Sequence, residues 1–173
     1  MKENTFIFRI LFALVITASL AFLNSCGPEE EDPPYVGTWA AFGEISDTSG
    51  TLEAKEEITL GKDTYKNILY IKNPSTQKWV ALQGLKGSLS LSGTKLSLNF
   101  TSIGLSTFDI ISGLPTGNIQ YYQKGTENFD ALLEQSGFPA FIKCEYVVTG
   151  NTIILYMDVN GDFVNEAFRY TRQ

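Results

Sequence analysis

From Tyr35 onward, apolar side chains recur at every second position, and turn-forming residues interrupt them at short intervals. A period of two puts one set of side chains on one face of an extended strand, so the pattern commits this part of the chain to antiparallel sheet. Leu89, Leu91, Leu96, Leu98 and Phe100 alternate with polar residues around Ser92-Gly93-Thr94, which predicts a hairpin with these residues on one buried face. The end of the chain repeats the theme. Phe141 to Val148 turns at Thr149-Gly150-Asn151 into Thr152 to Val159, which turns at Asn160-Gly161 into Phe163 to Thr171. Further strands are expected at Gly37 to Ile45, Glu56 to Leu60, Tyr65 to Lys72 and Lys78 to Gln83. The alternation predicts an all-β fold, a sandwich or a barrel.

The alternation decays between Gly104 and Pro139, which reads as an insertion spanning 104–139. Within it, Thr126 to Gly137 has helical spacing: Phe129, Leu132 and Leu133 fall at i, i+3 and i+4, and Gly137 supplies an end signal. A short helix is expected against one end or side of the sheet. A plug over apolar surface is favoured there over a lid gating a pocket.

At the start of the sheet region stands Tyr35-Val36-Gly37-Thr38-Trp39, and at its end Phe168-Arg169-Tyr170-Thr171-Arg172. A Gly-x-Trp opening the first strand is similar to the lipocalin and wider calycin pattern, and the two ends together resemble small bacterial lipoproteins with a lipocalin-like domain. The resemblance implies a lipocalin-like up-and-down barrel of about eight antiparallel strands with one short helix inserted, around a ligand space, the alternative being a β-sandwich. Strand parity supplies a role for its end residues. If Val164, Phe168 and Tyr170 face inward, Arg172 shares their side and can stack on Trp39, with Gly37 beside them, to close the narrow end. Arg169 then falls on the opposite face.

The first residues suggest an address. Lys2 and Arg9 precede an apolar run from Ile10 to Leu23, a basic segment followed by a greasy one. A spanning helix needs roughly 20 apolar residues, and this run ends sooner, at small polar residues. Leu23, Asn24 and Ser25 before Cys26 resemble a lipobox, the site read by lipoprotein signal peptidase. The resemblance implies cleavage before Cys26 and a thioether to diacylglycerol on its thiol, so that a lipid bilayer becomes a partner through acylation. Residues 1–25 are therefore expected to be a signal peptide. Residues 26–34 form an acidic, Pro-rich tether, and 35–173 form the lipocalin-like β domain. The acidic run Glu29 to Asp32 resembles an export tag of Gram-negative surface lipoproteins. The expected location is the outer membrane, with the cell surface favoured over the periplasmic face.

Charge and residue inventory remove several functions. The net charge of −6 argues against nucleic acid as a partner. The chain has no histidine, which excludes His-based zinc sites, Ser-His-Asp triads and Cys-His dyads. With Cys26 lipidated, Cys144 has no partner for a disulfide, and its alternating neighbours Ile142, Tyr146 and Val148 predict a buried core thiol. Asp158 to Asp162 has the wrong spacing for an EF-hand and reads as a type I′ turn, so no metal and no cofactor is expected. Glu56 and Glu57 are neighbours on a strand, point to opposite faces and cannot act as a catalytic pair.

Aromatic residues are the richer resource. Tyr65, Trp79, Phe100, Tyr146 and Tyr156 are the candidates to line a ligand space, and Trp79 competes with Val80 and Leu82 for the inward face. The expected function is non-catalytic: a binding module for a small apolar or glycan ligand or a protein partner. The alternative is a structural or assembly component of an outer-membrane complex, with a filled barrel and no ligand. In cells fed a radioactive fatty acid the protein should take up label, and Cys26→Ser should lose it entirely. A variant that still carries label would overturn the anchor.

Overall fold

The computed structural model describes residues 31–47, 50–136, 139–157 and 166–173. Leu23, Asn24, Ser25 and Cys26 lie outside the described residues, as do the Asn160-Gly161 turn, Val164 and the Asp158 to Asp162 segment. Pro33–Gln173 forms one unit.

Strand β1 (Gly37–Asp47) pairs with β2 (Gly50–Leu60), β2 with β3 (Thr64–Lys72), β3 with β4 (Trp79–Ser92), and β4 with β5 (Lys95–Phe108), all antiparallel. After β6 (Pro115–Gln123) and helix α1 (Glu127–Ser136), strands β7 (Phe141–Thr149), β8 (Thr152–Met157) and β9 (Glu166–Arg172) complete the order. β7 pairs with the first half of β5, β8 with β7, β9 with β8, and β9 returns to β1. Eight strands thus close into an antiparallel barrel, with β6 outside the ring; this is one closed sheet and not a two-sheet sandwich. The architecture is compatible with a lipocalin-like fold.

The expected insertion at 104–139 holds strand beside its helix: the end of β5, to Phe108, and β6. β5 continues to Phe108 because it changes partner: its residues 95–99 pair with β7 and its residues 102–108 with β6. Glycines interrupt the apolar pattern here for a packing reason. Gly104 and Gly84 are register partners, and a Cβ on either would collide with Tyr121, which β6 lays across the outer face of both strands. Likewise the expected strand at Lys78 to Gln83, from Trp79 on, and Leu89 to Leu91 belong to a single strand, β4. Its register shifts opposite Leu69/Tyr70 and at Lys86/Gly87, and such bulges throw the two-residue period out of phase. Leu91 shares the face of Leu89 and Leu96 but stays 43% exposed at the hairpin end, whereas Leu96 and Leu98 are buried.

Helix α1 starts at Thr126, whose Oγ1 accepts a hydrogen bond from the Phe129 amide at 3.3 Å. Glu127 and Asp130 lie in its first turn, where the helix dipole favours negative charge. Phe129 is fully buried in the core, and Leu132 and Leu133 pack against it. Leu132 lies beside Ile103 and Leu105, so the helix covers the inward side of β5 past the point where β7 leaves it. Burial of Phe129 contributes about 2 kcal/mol on ordinary transfer scales.

At the other end, Trp39 is fully buried and its indole Nε1 donates to the Tyr35 carbonyl at 2.9 Å. Trp39 is the register partner of Arg172, and the guanidinium carbon sits 4.3 Å from the centre of its ring system. Arg172 also donates to the Pro34 carbonyl at 2.9 Å and the Val36 carbonyl at 3.3 Å. Gly37 has φ of +144°, and a side chain there would press on the Arg172 guanidinium, 3.1 Å from its Cβ. Cation–π contact and charge-assisted hydrogen bonds together predict that Arg172→Ala lowers unfolding free energy in urea by about 1–2 kcal/mol. Arg169→Ala should change it by less than about 0.5 kcal/mol. Equal losses from the two variants would contradict this placement.

Candidate functional site

Barrel strands expose alternate side chains to the interior, and the inward set does not fill it. Between the Trp39 end and the far rim lies a cavity of about 420 Å³. Its walls are mostly apolar, with Leu85, Phe100, Leu155 and Met157 among them. Tyr65, Asn67 and Tyr170 bring polar atoms to it, and Phe168 and Glu166 lie on β9 toward its rim.

The polar centre of this cavity is Glu56. Ala54, Glu56, Ile58 and Leu60 alternate on the inward face of β2, so the carboxylate is carried into the barrel by the same parity that buries Ile58. Tyr170 Oη donates to Glu56 Oε2 at 2.9 Å, and Asn67 Nδ2 donates to Oε1. Asn67 and Tyr170 are themselves buried, at 8% and 3% exposure. Glu57, one residue on, faces outward and pairs with Lys55 at 3.1 Å. The two acids therefore separate as their adjacency requires, one into the cavity and one onto the surface.

Burial holds the surrounding acidic groups in their neutral forms. Desolvation pushes the Tyr65 and Tyr170 phenols well above their ordinary range, and the Glu56 charge pushes both the same way. Burial likewise pushes the Cys144 thiol up to about 12. A thiol so far from its ionised form is a poor nucleophile. It packs as a core residue, 2% exposed.

Of the aromatic candidates, Tyr65 and Phe100 line the cavity. The other three do not. Tyr146 packs edge-on against Tyr35, their centres 5.3 Å apart, beyond the cavity toward the closed end. Tyr156 alternates with buried Leu155 and Met157 and so faces outward. Trp79 is turned to the outer face beside Lys72 and Phe42, because the register shift in β4 reverses its parity relative to Leu85. Trp79 there lines an open outer groove of about 530 Å³ between β3, β4 and β6, together with Tyr70, Tyr121, Lys66 and Lys86. The sequence reading missed Glu56, Asn67 and Tyr170 as a cluster. The signal for Glu56 was its shared parity with Ile58 and Leu60; nothing local pairs it with Asn67 or Tyr170.

Among the described residues no group of three or more His, Cys, Asp or Glu side chains is placed to hold a metal ion, and no helix is long and apolar enough to cross a membrane. The thiol and phenols give a pH signature instead. A group whose folded pKa is raised keeps its proton in the native state but releases it on unfolding, so its stabilisation is complete at neutral pH and declines above its ordinary value. Stability should be flat near neutrality and fall from about pH 9, the ordinary thiol value, toward 12. Cys144→Ala should make that fall shallower by about 1.4 kcal/mol per pH unit, one proton's worth. A slope identical to that of the wild type in urea titrations at alkaline pH would contradict burial of the thiol. No family model matches the chain and no curated protein matches it.

Proposed function

We propose that this chain is a lipid-anchored extracytoplasmic lipoprotein whose lipocalin-like barrel binds a small, largely apolar ligand in its interior without transforming it. The observation that carries the ligand is the cavity of about 420 Å³, inside the usual range of roughly 300–1,000 Å³ for small-molecule sites. At roughly 30 Å³ per atom, the liquid share of one water, it has room for about a dozen non-hydrogen atoms. Predominantly apolar walls with a few fixed polar groups are what such sites use for affinity and orientation. The address rests on the leader, the lipobox resemblance ending at Cys26 and the acidic tether, which together favour the outer membrane and its external face.

A binding role suits the polar cluster better than catalysis does. Both oxygens of Glu56 are engaged by Asn67 and Tyr170, which fix its position, and the chain has no histidine to shuttle protons. The assembly role considered as the alternative calls for a filled barrel, and the interior space weighs against it. The outer groove beside Trp79 offers a platform for a glycan or protein partner, but its open form gives less enclosure for a small molecule.

Leu69 lines the cavity on β3 and is half-buried, so a larger side chain there fills space without displacing the deepest core. Leu69→Trp should weaken binding of an environment-sensitive apolar fluorophore by at least about ten-fold, or about 1.4 kcal/mol, with little change in melting temperature. Undiminished binding in a folded variant would place the fluorophore elsewhere and remove the support for an interior site.

A further inference from the structure

We infer that the interior ligand carries a cationic head, a protonated amine on an apolar body, with Glu56 as its counter-charge. This rests on the reading that the cavity binds a ligand, and adds its chemical class.

The first observation is the sign of the lining. Two carboxylates, Glu56 and Glu166, face the cavity, and among the described residues no lysine or arginine does. The intervening residues 48–49, 137–138 and 158–165 contain neither residue type in sequence. A ligand carboxylate brought into this space would meet like charge without a basic partner, in surroundings where screening by water is reduced. An ammonium would meet attraction from the same groups.

The second observation is the geometry at Glu56. A carboxylate has about four lone-pair positions. Tyr170 and Asn67 occupy one on each oxygen and leave the others open to a donor from the cavity side. Both partners are buried, so the carboxylate is held in place before a ligand arrives and little ordering is needed on binding. Hydrogen bonds from a charged donor to a carboxylate are roughly twice as strong as neutral ones, which favours an amine over an alcohol of the same shape. Glu166 is exposed near the rim and contributes the same sign where a ligand enters.

The third observation is the make-up of the lining. Ile58, Leu85, Leu98, Phe100, Leu155 and Met157 offer no polar side-chain group and outweigh the neutral polar groups of Tyr65, Asn67, Gln83 and Tyr170, so most of the ligand is apolar and its charge is the part matched to Glu56.

Phenylbutylamine, phenylbutanol and phenylvaleric acid share one phenylbutyl body and differ in head, and each is about the size of the cavity. Calorimetric titration of the purified full chain with each at neutral pH tests the assignment. The amine should bind at least about ten-fold more tightly than the acid, with the alcohol between them, and Glu56→Gln should shrink the amine's advantage over the alcohol to less than about three-fold. Acid binding as tight as or tighter than amine would overturn the cationic head while leaving the interior site standing. An amine advantage unchanged in Glu56→Gln would overturn Glu56 as the counter-charge. If none of the three binds, the interior site itself fails, and this inference with it. Should Glu56→Gln melt far below the wild type, the three-ligand comparison on the unaltered chain still decides the head group.

Discussion

Everything inside this barrel depends on the seam between β1 and β9. The register there comprises two pairs, Trp39 with Arg172 and Ala40 with Thr171, where β1 and β2 share eleven. So short a ladder leaves the ring to be held by side chains. Arg172 supplies the connection, its guanidinium over the Trp39 ring system and its donors on the carbonyls of Pro34 and Val36. Trp39 passes the contact on through its indole N–H to the Tyr35 carbonyl, and Tyr35 meets Tyr146 on the opposite wall. With Cys144 free and buried, the described domain has packing in place of a covalent staple, and one cation on one aromatic system secures both of its ends.

Closure at that end shapes the other. β7 reaches only as far as Asn99 on β5, so beyond this point β5 turns its edge to β6 instead. The ring is thereby narrower in strands toward the far rim, and α1 lies against β5 there, with Phe129 and Leu132 as its contribution to the core. A helix covers apolar surface with a ridge of side chains and does not fill a cylinder. The cavity lies among the inward residues of β2, β3, β4, β5, β8 and β9, and its described lining takes no side chain from α1.

This division also explains what the sequence discloses. The strands at Gly37, Tyr65, Phe141 and Thr152, and the helix marked by Phe129, Leu132 and Leu133, are legible because each is regular and sees one partner on each side. The β4 and β5 strands are half hidden. Their register shifts and the glycines beneath Tyr121 answer to neighbours distant in sequence, and no local period encodes them. The face of Trp79 stays open in the sequence for that reason: it depends on a bulge between Trp79 and Leu85. Glu56 is instructive in another way. Its adjacency to Glu57 rightly rules out a pair on one face, yet that reasoning does not ask which face each takes, and Ala54, Ile58 and Leu60 already answered it.

A carboxylate inside a barrel carries a thermodynamic burden, because removing an ion from water costs several kcal/mol unless hydrogen bonds and residual solvent replace the hydration it loses. Asn67 and Tyr170 replace part of it, and the half-buried position of Glu56 leaves the remainder to solvent in the cavity. A ligand that occupies the space must displace that solvent. Its apolar body gains from leaving water, but a body without a donor would strand the open lone pairs of Glu56, and the lost solvation would cancel much of the gain. On the proposed binding role, the same carboxylate that is awkward for an empty barrel would act as a filter: it would discriminate by what a ligand fails to provide, which is how a mostly apolar pocket becomes selective.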